Sequence, residues 1–442
     1  MTIEMPKAVK NIIRILENAG FEGYAVGGCV RDSLLGREPD DWDITTSAKP
    51  EQVKELFAAT IDTGIQHGTV TVMWDHVGYE VTTYRIDGEY EDNRHPKEVI
   101  FTPLLQEDLR RRDFTINAMA YNEKQGLVDI FGGQEDLKQG VIRCVGEAGE
   151  RFKEDALRIM RAVRFSAQLG YSIEAGTKEA IANFADNLRS VSAERIQVEL
   201  VKLLTSPHPD YLRIAYETGI TAVILPEFDR CMQTTQNNPH HCYSVGEHIL
   251  HSMCEIEPDK HLRLAMLFHD IAKPLTRTTD ESGIDHFHGH AALGEELSKQ
   301  ILHRLKFDNE TIRVVSKLVR HHDERFEPTR RNVRRMINRT GEELFPYLLK
   351  IRMADTLAQS DFRREAKIKW IHQVKALAGE IAADEECLSL KTLAVTGKDL
   401  IGEGFAPGPS LGILLNRLLQ DVLDEPTHNN KEYLLNLAHK IG

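Results

Sequence analysis

The sequence predicts an α+β head followed by an all-helical remainder. Three observations carry this. Segments alternating with period two, such as 69–74 and 79–84, lie only in the first third of the chain. Beyond Val145 nearly every stretch repeats its apolar residues at helical spacing. Near the start, a glycine turn, Gly27-Gly28-Cys29-Val30-Arg31-Asp32, precedes Asp41-Trp42-Asp43, an order expected of strand, turn, helix and strand.

The elements follow in chain order. Residues 5–20 alternate apolar and polar at helical spacing. Tyr24-Ala25-Val26 is a short strand entering the glycine turn, 32–36 is helical, and 41–44 is the next strand. A helix over 50–58 is expected, capped by Ser47 or Thr46. The two alternating segments are joined by 75–78 as a hairpin. Val99-Ile100-Phe101 is another strand.

The chain has 442 residues and a net charge of −13, so several domains are expected and nonspecific nucleic-acid binding is not. A local basic track is still compatible with that balance: Arg110 to Arg112, then Arg158, Arg161 and Arg164, then Arg330, Arg331, Arg334 and Arg335, then Arg363 and Arg364. Solvated helix faces are the alternative for the last two clusters. No segment reaches the length of a membrane span and the first residues lack a signal-peptide pattern. Six scattered cysteines with no C-x-x-C pair fit free thiols, so a cytoplasmic location is expected.

The glycine turn offers backbone N–H groups, and with Gly28 and Arg31 it suits a triphosphate. If 41–44 is a strand, Asp41 and Asp43 share a face, a carboxylate pair suited to Mg²⁺. Glu80, on the hairpin, is a third candidate carboxylate or an exposed strand residue. Arg112 stands in a triple arginine beside the apolar run Phe114–Ala120, with Asn117 as a candidate orienting residue. Glu154-Asp155 through Arg158, Arg161 and Arg164 is expected on one helix, with Ala156, Ile159, Met160, Val163 and Ala167 as its buried stripe. Asp155 and Arg158 are then i,i+3 neighbours. They can form an acceptor and donor pair for a base edge, or an intrahelical salt bridge.

In residues 22–200 these stretches, together with Asp-Ile-Phe-Gly-Gly-Gln-Glu-Asp-Leu from Asp129, resemble the class II tRNA nucleotidyltransferases, the CCA-adding enzymes and bacterial poly(A) polymerases. The resemblance implies a DNA polymerase β-like head over 1–140, with metals on Asp41 and Asp43 and nucleotide contacts from Gly28, Arg31 and Arg112. It implies a helical neck over 141–230. There Asp155 and Arg158 template CTP or ATP, with Arg161 and Arg164 nearby. Residues 87–94 resemble the loop used to switch from C to A addition, and 376–442 resembles the helical tail that grips tRNA. The implied reaction moves CMP and AMP from CTP and ATP to a tRNA 3′ end. The rivals are a poly(A) polymerase, a CC-only or A-only enzyme, and a nucleotide-sensing protein without turnover.

Most of the 19 histidines lie between His240 and His322. The ordered set His248, His269-Asp270 and Asp355 offers imidazole and carboxylate donors. Such a set suits a transition divalent ion: Mn²⁺, Fe²⁺, Co²⁺, Ni²⁺ or Zn²⁺. This set resembles the HD phosphohydrolase domain, expected over 231–375. That resemblance implies His290 and His322 as ligands of a second ion. Lys273, one turn after His269, is a candidate phosphate contact. A further rival is therefore a phosphohydrolase with a non-catalytic head.

Overall fold

The computed structural model describes residues 2–87 and 99–442. The fold is mixed α+β in the first part and helical in the rest, as expected. It divides into two compact units, 1–226 and 227–442.

In the first unit, helix Lys7–Asn18 buries Val9, Ile12, Ile13 and Leu16, the one-sided stripe that the 3.6-residue period dictates. The strands are β1 (Gly23–Val26), β2 (Ile44–Thr46), β3 (Thr60–Gly64), β4 (Thr69–Trp74), β5 (Val77–Thr83), β6 (Arg85–Asp87), β7 (Val99–Phe101), β8 (Met119–Asn122) and β9 (Gly126–Asp129). Seven form one sheet in the order β3-β4-β5-β2-β1-β8-β9, and β6 pairs with β7 separately. Only β2 and β5 pair in parallel in that sheet. Tyr24, Val26, Tyr84, Leu109 and Ala120 pack as a core cluster beneath it.

Several expectations are corrected. Asp41, Trp42 and Asp43 precede the strand rather than forming it, because β2 begins at Ile44. The β1–β2 register ends at Ala25 opposite Ile44, next to the glycine turn; only the Asp43 carbonyl still accepts from Val26 N–H, at 3.0 Å. The chain peels away from the sheet where the carboxylates stand, so strand alternation does not set their direction. The helix expected over 32–36 runs over Gly28–Leu34. The hairpin link shortens to Asp75-His76, both with positive φ, and Trp74 pairs with Val77. This is the two-residue geometry whose twist matches the flanking strands. Helix Pro50–Leu56 starts from Lys49, with proline at its first position, rather than from Ser47 or Thr46. Those two side chains bind Glu22 backbone instead. Residues 88–94 of the loop compared with a C-to-A switch lie outside the described residues.

The second unit is helical apart from a ribbon of Thr278–Thr279 with Asp285–His286. Helices Val245–Cys254, Lys260–Phe268, His290–Arg304, Asn309–His321 and Phe345–Ala358 bring together side chains more than 100 residues apart. The Arg330–Arg335 cluster is neither a free RNA track nor a solvated face. Arg330 meets Glu380 at 3.2 Å, Arg331 and Arg335 meet Asp424, and buried Arg334 meets Glu386 at 2.8 Å and the Leu423 carbonyl at 2.7 Å. These contacts tie helix Arg330–Thr340 to helices Arg364–Ala383 and Pro409–Asp424. All six cysteines are free thiols. No described helix is long and apolar enough to cross a membrane.

Candidate functional site

Strand β1 runs into Gly27, whose φ of +82° favours glycine. A Cβ there would lie 3.1 Å from Arg112 Nη1, so the bare backbone also lets a guanidinium close over the turn. Arg112 is held by Asp108, which accepts from its Nη2 at 3.3 Å. Asp108 is fully buried and also accepts from Arg111 Nη2 at 2.8 Å and Thr45 Oγ1 at 3.1 Å. Burial opposes its charge, but Arg111 and Arg112 prevail and keep its pKa below the usual value. Arg31 stands on the other side of the turn. It donates to both Asp32 oxygens at 2.9 and 2.7 Å and to Asn117 Oδ1 at 2.7 Å, and lies 5.0 Å over the Phe165 ring. Two guanidinium groups with fixed orientations therefore flank the turn that carries Gly28.

The charges of Asp41, Glu80 and Arg112 all act on Asp43 beside them. In the parallel register Ile44 lies opposite Val81, so Asp43 and Glu80 precede partnered residues on adjacent strands. Desolvation, then the charge of Asp41, with Glu80 adding and Arg112 opposing, pushes the Asp43 carboxyl up to about 6. A divalent cation relieves repulsion of this kind, and the all-oxygen donors Asp41, Asp43 and Glu80 are of the chemistry that suits a hard ion. Their ligand atoms do not all fall within 4.8 Å of one another, unlike those of the histidine groups below.

The expected single recognition helix is broken. Helix Ala148–Glu154 ends before Asp155, and helix Leu157–Leu169 begins after Ala156. Asp155 Oδ1 accepts from Leu157 N–H at 3.0 Å and so starts the second helix, while Oδ2 accepts from Arg195 at 2.7 Å. Arg158 pairs with Glu154 at 2.5 Å rather than with Asp155, and donates to the Arg111 carbonyl at 2.9 Å. The second helix is buried nearly all round, which overrides the expected one-sided stripe. Arg161 pairs with buried Asp113 at 2.6 Å and Arg164 with buried Glu199 at 2.5 Å. Neither is therefore turned out to solvent as an unpaired cation. Asp113 also accepts from Asn117 Nδ2 at 3.2 Å. A continuous chain of contacts thus runs Asp32, Arg31, Asn117, Asp113, Arg161, linking the glycine turn to helix Leu157–Leu169.

In the second unit His248, His269 and Asp270 group their ligand atoms within 4.8 Å, and so do Asp270, His290 and His322. Asp270 bridges the groups. Its Oδ2 lies 3.3 and 3.7 Å from Nε2 of His269 and His248, and its Oδ1 lies 3.5 and 3.7 Å from Nε2 of His290 and His322. Asp355 Oδ1 stands 2.9 Å from His248 Nε2. Nδ1–H of His269, His290 and His322 donates at 2.7 Å to the carbonyl three residues earlier, on Met266, Phe287 and Val319. Carbonyls only accept, so in the neutral rings each Nε2 keeps a lone pair. The Nε2 atoms of His290 and His322 are 3.2 Å apart, a spacing that two lone pairs tolerate when a proton or a metal ion lies between them. The donor set fits two transition-metal ions sharing Asp270.

Lys273 does not stand free. Its Nζ lies 2.6 Å from Asp270 Oδ2 and donates to Gln236 at 3.1 Å. With His269 it holds the Asp270 carboxyl well below the usual range against the cost of burial.

Sequence reasoning missed the residues that lock these groups. Asp108 and Asp113 were visible inside the arginine motif but only as charges. Arg195 and Glu199 carried no signal, because their partners lie 40 and 35 residues earlier. His241 was also missed. It packs edge-on against His248 at 5.2 Å, and burial followed by Lys273 pushes its pKa down to about 2.

Comparisons with known proteins bear on the family of the chain rather than on individual site residues. The "Poly A polymerase head domain" model matches residues 23–143. A polymerase A model for RNA and SrmB binding matches 170–232, and a tRNA nucleotidyltransferase domain 2 model matches 276–438. A CCA-adding enzyme of Lactiplantibacillus plantarum is 35% identical over 437 residues, 99% of this chain and 96% of its own. One from Levilactobacillus brevis is 36% identical over 427 residues, 96% of this chain and 95% of its own. Among solved structures, the Bacillus stearothermophilus CCA-adding enzyme in complex with CTP superposes with a TM-score of 0.75 at 29% identity, covering 99% of this chain and 98% of that one. The histidine cluster rests on geometry alone.

Proposed function

We propose a reaction from the premise its full-length relatives establish: the chain belongs to the CCA-adding enzyme family, whose members are nucleotidyltransferases. The substrates are a tRNA 3′ end with CTP and ATP, and the setting is the cytoplasm. The observation that carries this reading is Asp43, with the charges of Asp41 and Glu80 acting on it, beside two guanidinium groups fixed over a glycine turn.

The 3′-hydroxyl oxygen attacks the α-phosphorus, the bond to the β-phosphate oxygen breaks, and pyrophosphate leaves. Arg31 and Arg112 orient the triphosphate at Gly28 and offset its charge. Both are already held in place by carboxylates or Asn117, so little reorganisation is required. Asp41, Asp43 and Glu80 would hold Mg²⁺, which supplies Lewis-acid stabilisation of the triphosphate and a lower pKa for the attacking hydroxyl. Asp155 and Arg158 select the base, exchanging their present partners Arg195 and Glu154 for the edge of CTP or ATP. Arg161 and Arg164 act behind them, as the positioned back wall of that site.

The test is incubation of the purified chain with tRNA ending before CCA, supplying CTP and ATP singly and together and sequencing the 3′ ends. Addition of CC with CTP alone and CCA with both supports the reading. Runs of A, or arrest at CC with both nucleotides, would replace it with a poly(A) polymerase or a partial adding enzyme.

A second reading concerns the histidine cluster, favoured by the paired lone pairs of His290 and His322 and the bridging Asp270. His248, His269, Asp270 and Asp355 would hold one transition-metal ion, and Asp270, His290 and His322 another. The site then resembles a phosphohydrolase, with Lys273 released from Asp270 toward a phosphate oxygen. Metal analysis after loading with Mn²⁺ or Co²⁺ tests the ligand set before any activity is sought.

A further inference from the structure

A cavity of about 350 Å³ adjoins this cluster and shares Asp355 and His322 with it. That volume falls within the usual size of a small-molecule site, about 300–1,000 Å³. Its lining is cationic on balance, with Arg325, Arg352, Arg363 and Lys367 against Asp323 and Asp355. Arg352 and Asp355 stand i,i+3 on helix Phe345–Ala358, so the guanidinium lies one turn from the carboxylate that faces the histidines. Arg352 is fixed in place: it stacks 4.4 Å over the Trp370 ring and donates to the Glu324 carbonyl. Lys367 and Trp370 are likewise i,i+3 on helix Arg364–Ala383. The Lys367 ammonium donates to His240 Nδ1 at 3.0 Å and to Gln359. Arg363 closes the rim with a φ of +57°, a left-handed conformation uncommon outside glycine.

Among the described residues none of Arg352, Lys367 and Arg363 forms an ion pair within 4.0 Å, whereas Arg330, Arg331, Arg334 and Arg335 in the same unit all do. Two carboxylates share the lining, but Asp323 pairs with Arg325 at 3.6 Å and Asp355 with His248 at 2.9 Å, so both only act on Arg352 and Lys367 from beyond ion-pair distance. Fixed cations held in a cavity beyond ion-pair distance of its carboxylates are arranged for an anion that is not part of the chain. One phosphate at the histidine–aspartate cluster leaves them unused.

We propose that this cavity is a second-anion subsite: the cluster acts on a phosphoester whose organic part carries another phosphate, bound by Arg352, Lys367 and Arg363. The proposal rests on the phosphohydrolase reading above. In the reaction a water oxygen bonds to the phosphorus at the cluster and the ester P–O bond breaks. The leaving oxygen takes a proton and departs as an alcohol, still carrying its second phosphate. Inorganic phosphate is the other product, and nothing is oxidised or reduced.

The test uses the full chain loaded with Mn²⁺, with adenosine 3′,5′-bisphosphate and adenosine 5′-monophosphate as probes. Binding is read by calorimetry and hydrolysis by phosphate release. The expected result is at least tenfold tighter binding of the bisphosphate. Arg352→Gln and Lys367→Gln should each bring that ratio close to one, and Arg352→Lys should restore part of it. Monophosphate binding in each variant reports on folding, and nucleotide held at the head is untouched by these substitutions. A ratio near one in the parent chain, or a ratio that both glutamine variants preserve, overturns the subsite. If the ratio behaves as expected but no phosphate is released from either probe, the subsite stands and the phosphohydrolase reading fails. If phosphate is released from both probes at equal kcat/KM with no preference in binding, the reading stands and the subsite falls.

Discussion

Replacing Asp113 with asparagine should loosen the link between the glycine turn and helix Leu157–Leu169 by a calculable amount. Asp113 is 7% exposed and pairs with Arg161 at 2.6 Å. Burial alone would raise its pKa, but Arg161 and then Arg158 bring it from 3.8 down to about 2. That depression is worth about 2–3 kcal/mol at neutral pH. Breaking a buried pair outright costs about 3–5 kcal/mol. The lower figure applies here, because asparagine keeps the shape and Glu199 and Asp155 still act on the Arg161 charge. The assay is hydrogen exchange of the slowest amides in helix Leu157–Leu169, compared between variant and parent at the same pH. At pH 7 the variant should exchange roughly 30- to 150-fold faster, the same free energy expressed as a ratio. The sign follows from the depressed pKa. The contribution is complete above the unfolded value of 3.8 and is lost as pH falls through about 2. The free-energy gap should hold nearly constant from about pH 7 to pH 4 and shrink to roughly half by pH 3. A ratio under about threefold at pH 7, or a gap that widens on acidification, would refute the reasoning.

Three further outcomes are expected. Asp41→Asn should abolish nucleotide addition and return the Asp43 pKa from about 6 toward the ordinary carboxylate value, measurable by NMR titration; full activity with an unshifted Asp43 contradicts the carboxylate cluster. In the parent chain Mg²⁺ affinity should weaken as pH drops below about 6, because a raised carboxyl takes up its proton there; a flat profile between about pH 7 and 5 counts against Asp43 as a ligand. Arg158→Gln should cost roughly 1–3 kcal/mol of discrimination between CTP and UTP, read as a kcat/KM ratio; equal losses with both nucleotides favour a purely structural pair with Glu154.

The candidate head site was legible where its chemistry is local. Gly28, Arg31, Asp41, Asp43 and Arg112 stand in short motifs, and residue type alone carried most of their meaning. What failed was geometry set from afar. Whether Asp41–Asp43 is strand depends on where β1 stops pairing, and Ala25 opposite Ile44 is a fact about two segments together. The recognition helix breaks because Asp155 caps its own downstream neighbour and finds Arg195, an option that helical periodicity does not describe. The arginines at 330–335 show the same limit. Their charge was visible, but their partners Glu380, Glu386 and Asp424 lie 50 to 93 residues later.

The histidine cluster divides in the same way. His248, His269, Asp270 and Asp355 were readable as an ordered set, because imidazole and carboxylate side chains announce metal chemistry wherever they recur. The backbone carbonyls that fix each imidazole tautomer were not readable, since any helical residue has a carbonyl three positions back. Only burial tells which histidines use it. The consequence is chemical. Asp41, Asp43 and Glu80 offer oxygen alone, which suits a hard ion such as Mg²⁺. The second cluster offers Nε2 lone pairs held open by Met266, Phe287 and Val319, which suits a transition ion. The two donor sets differ enough for each to be loaded without the other. His269→Ala should therefore remove bound Mn²⁺ or Co²⁺ while CTP addition stays within about twofold of the parent, because the head's carboxylates share no ligand with it. Metal content and 3′-end sequencing on the same sample decide it. Loss of CTP addition in a folded His269→Ala chain would mean that the cluster serves tRNA placement rather than a chemistry of its own.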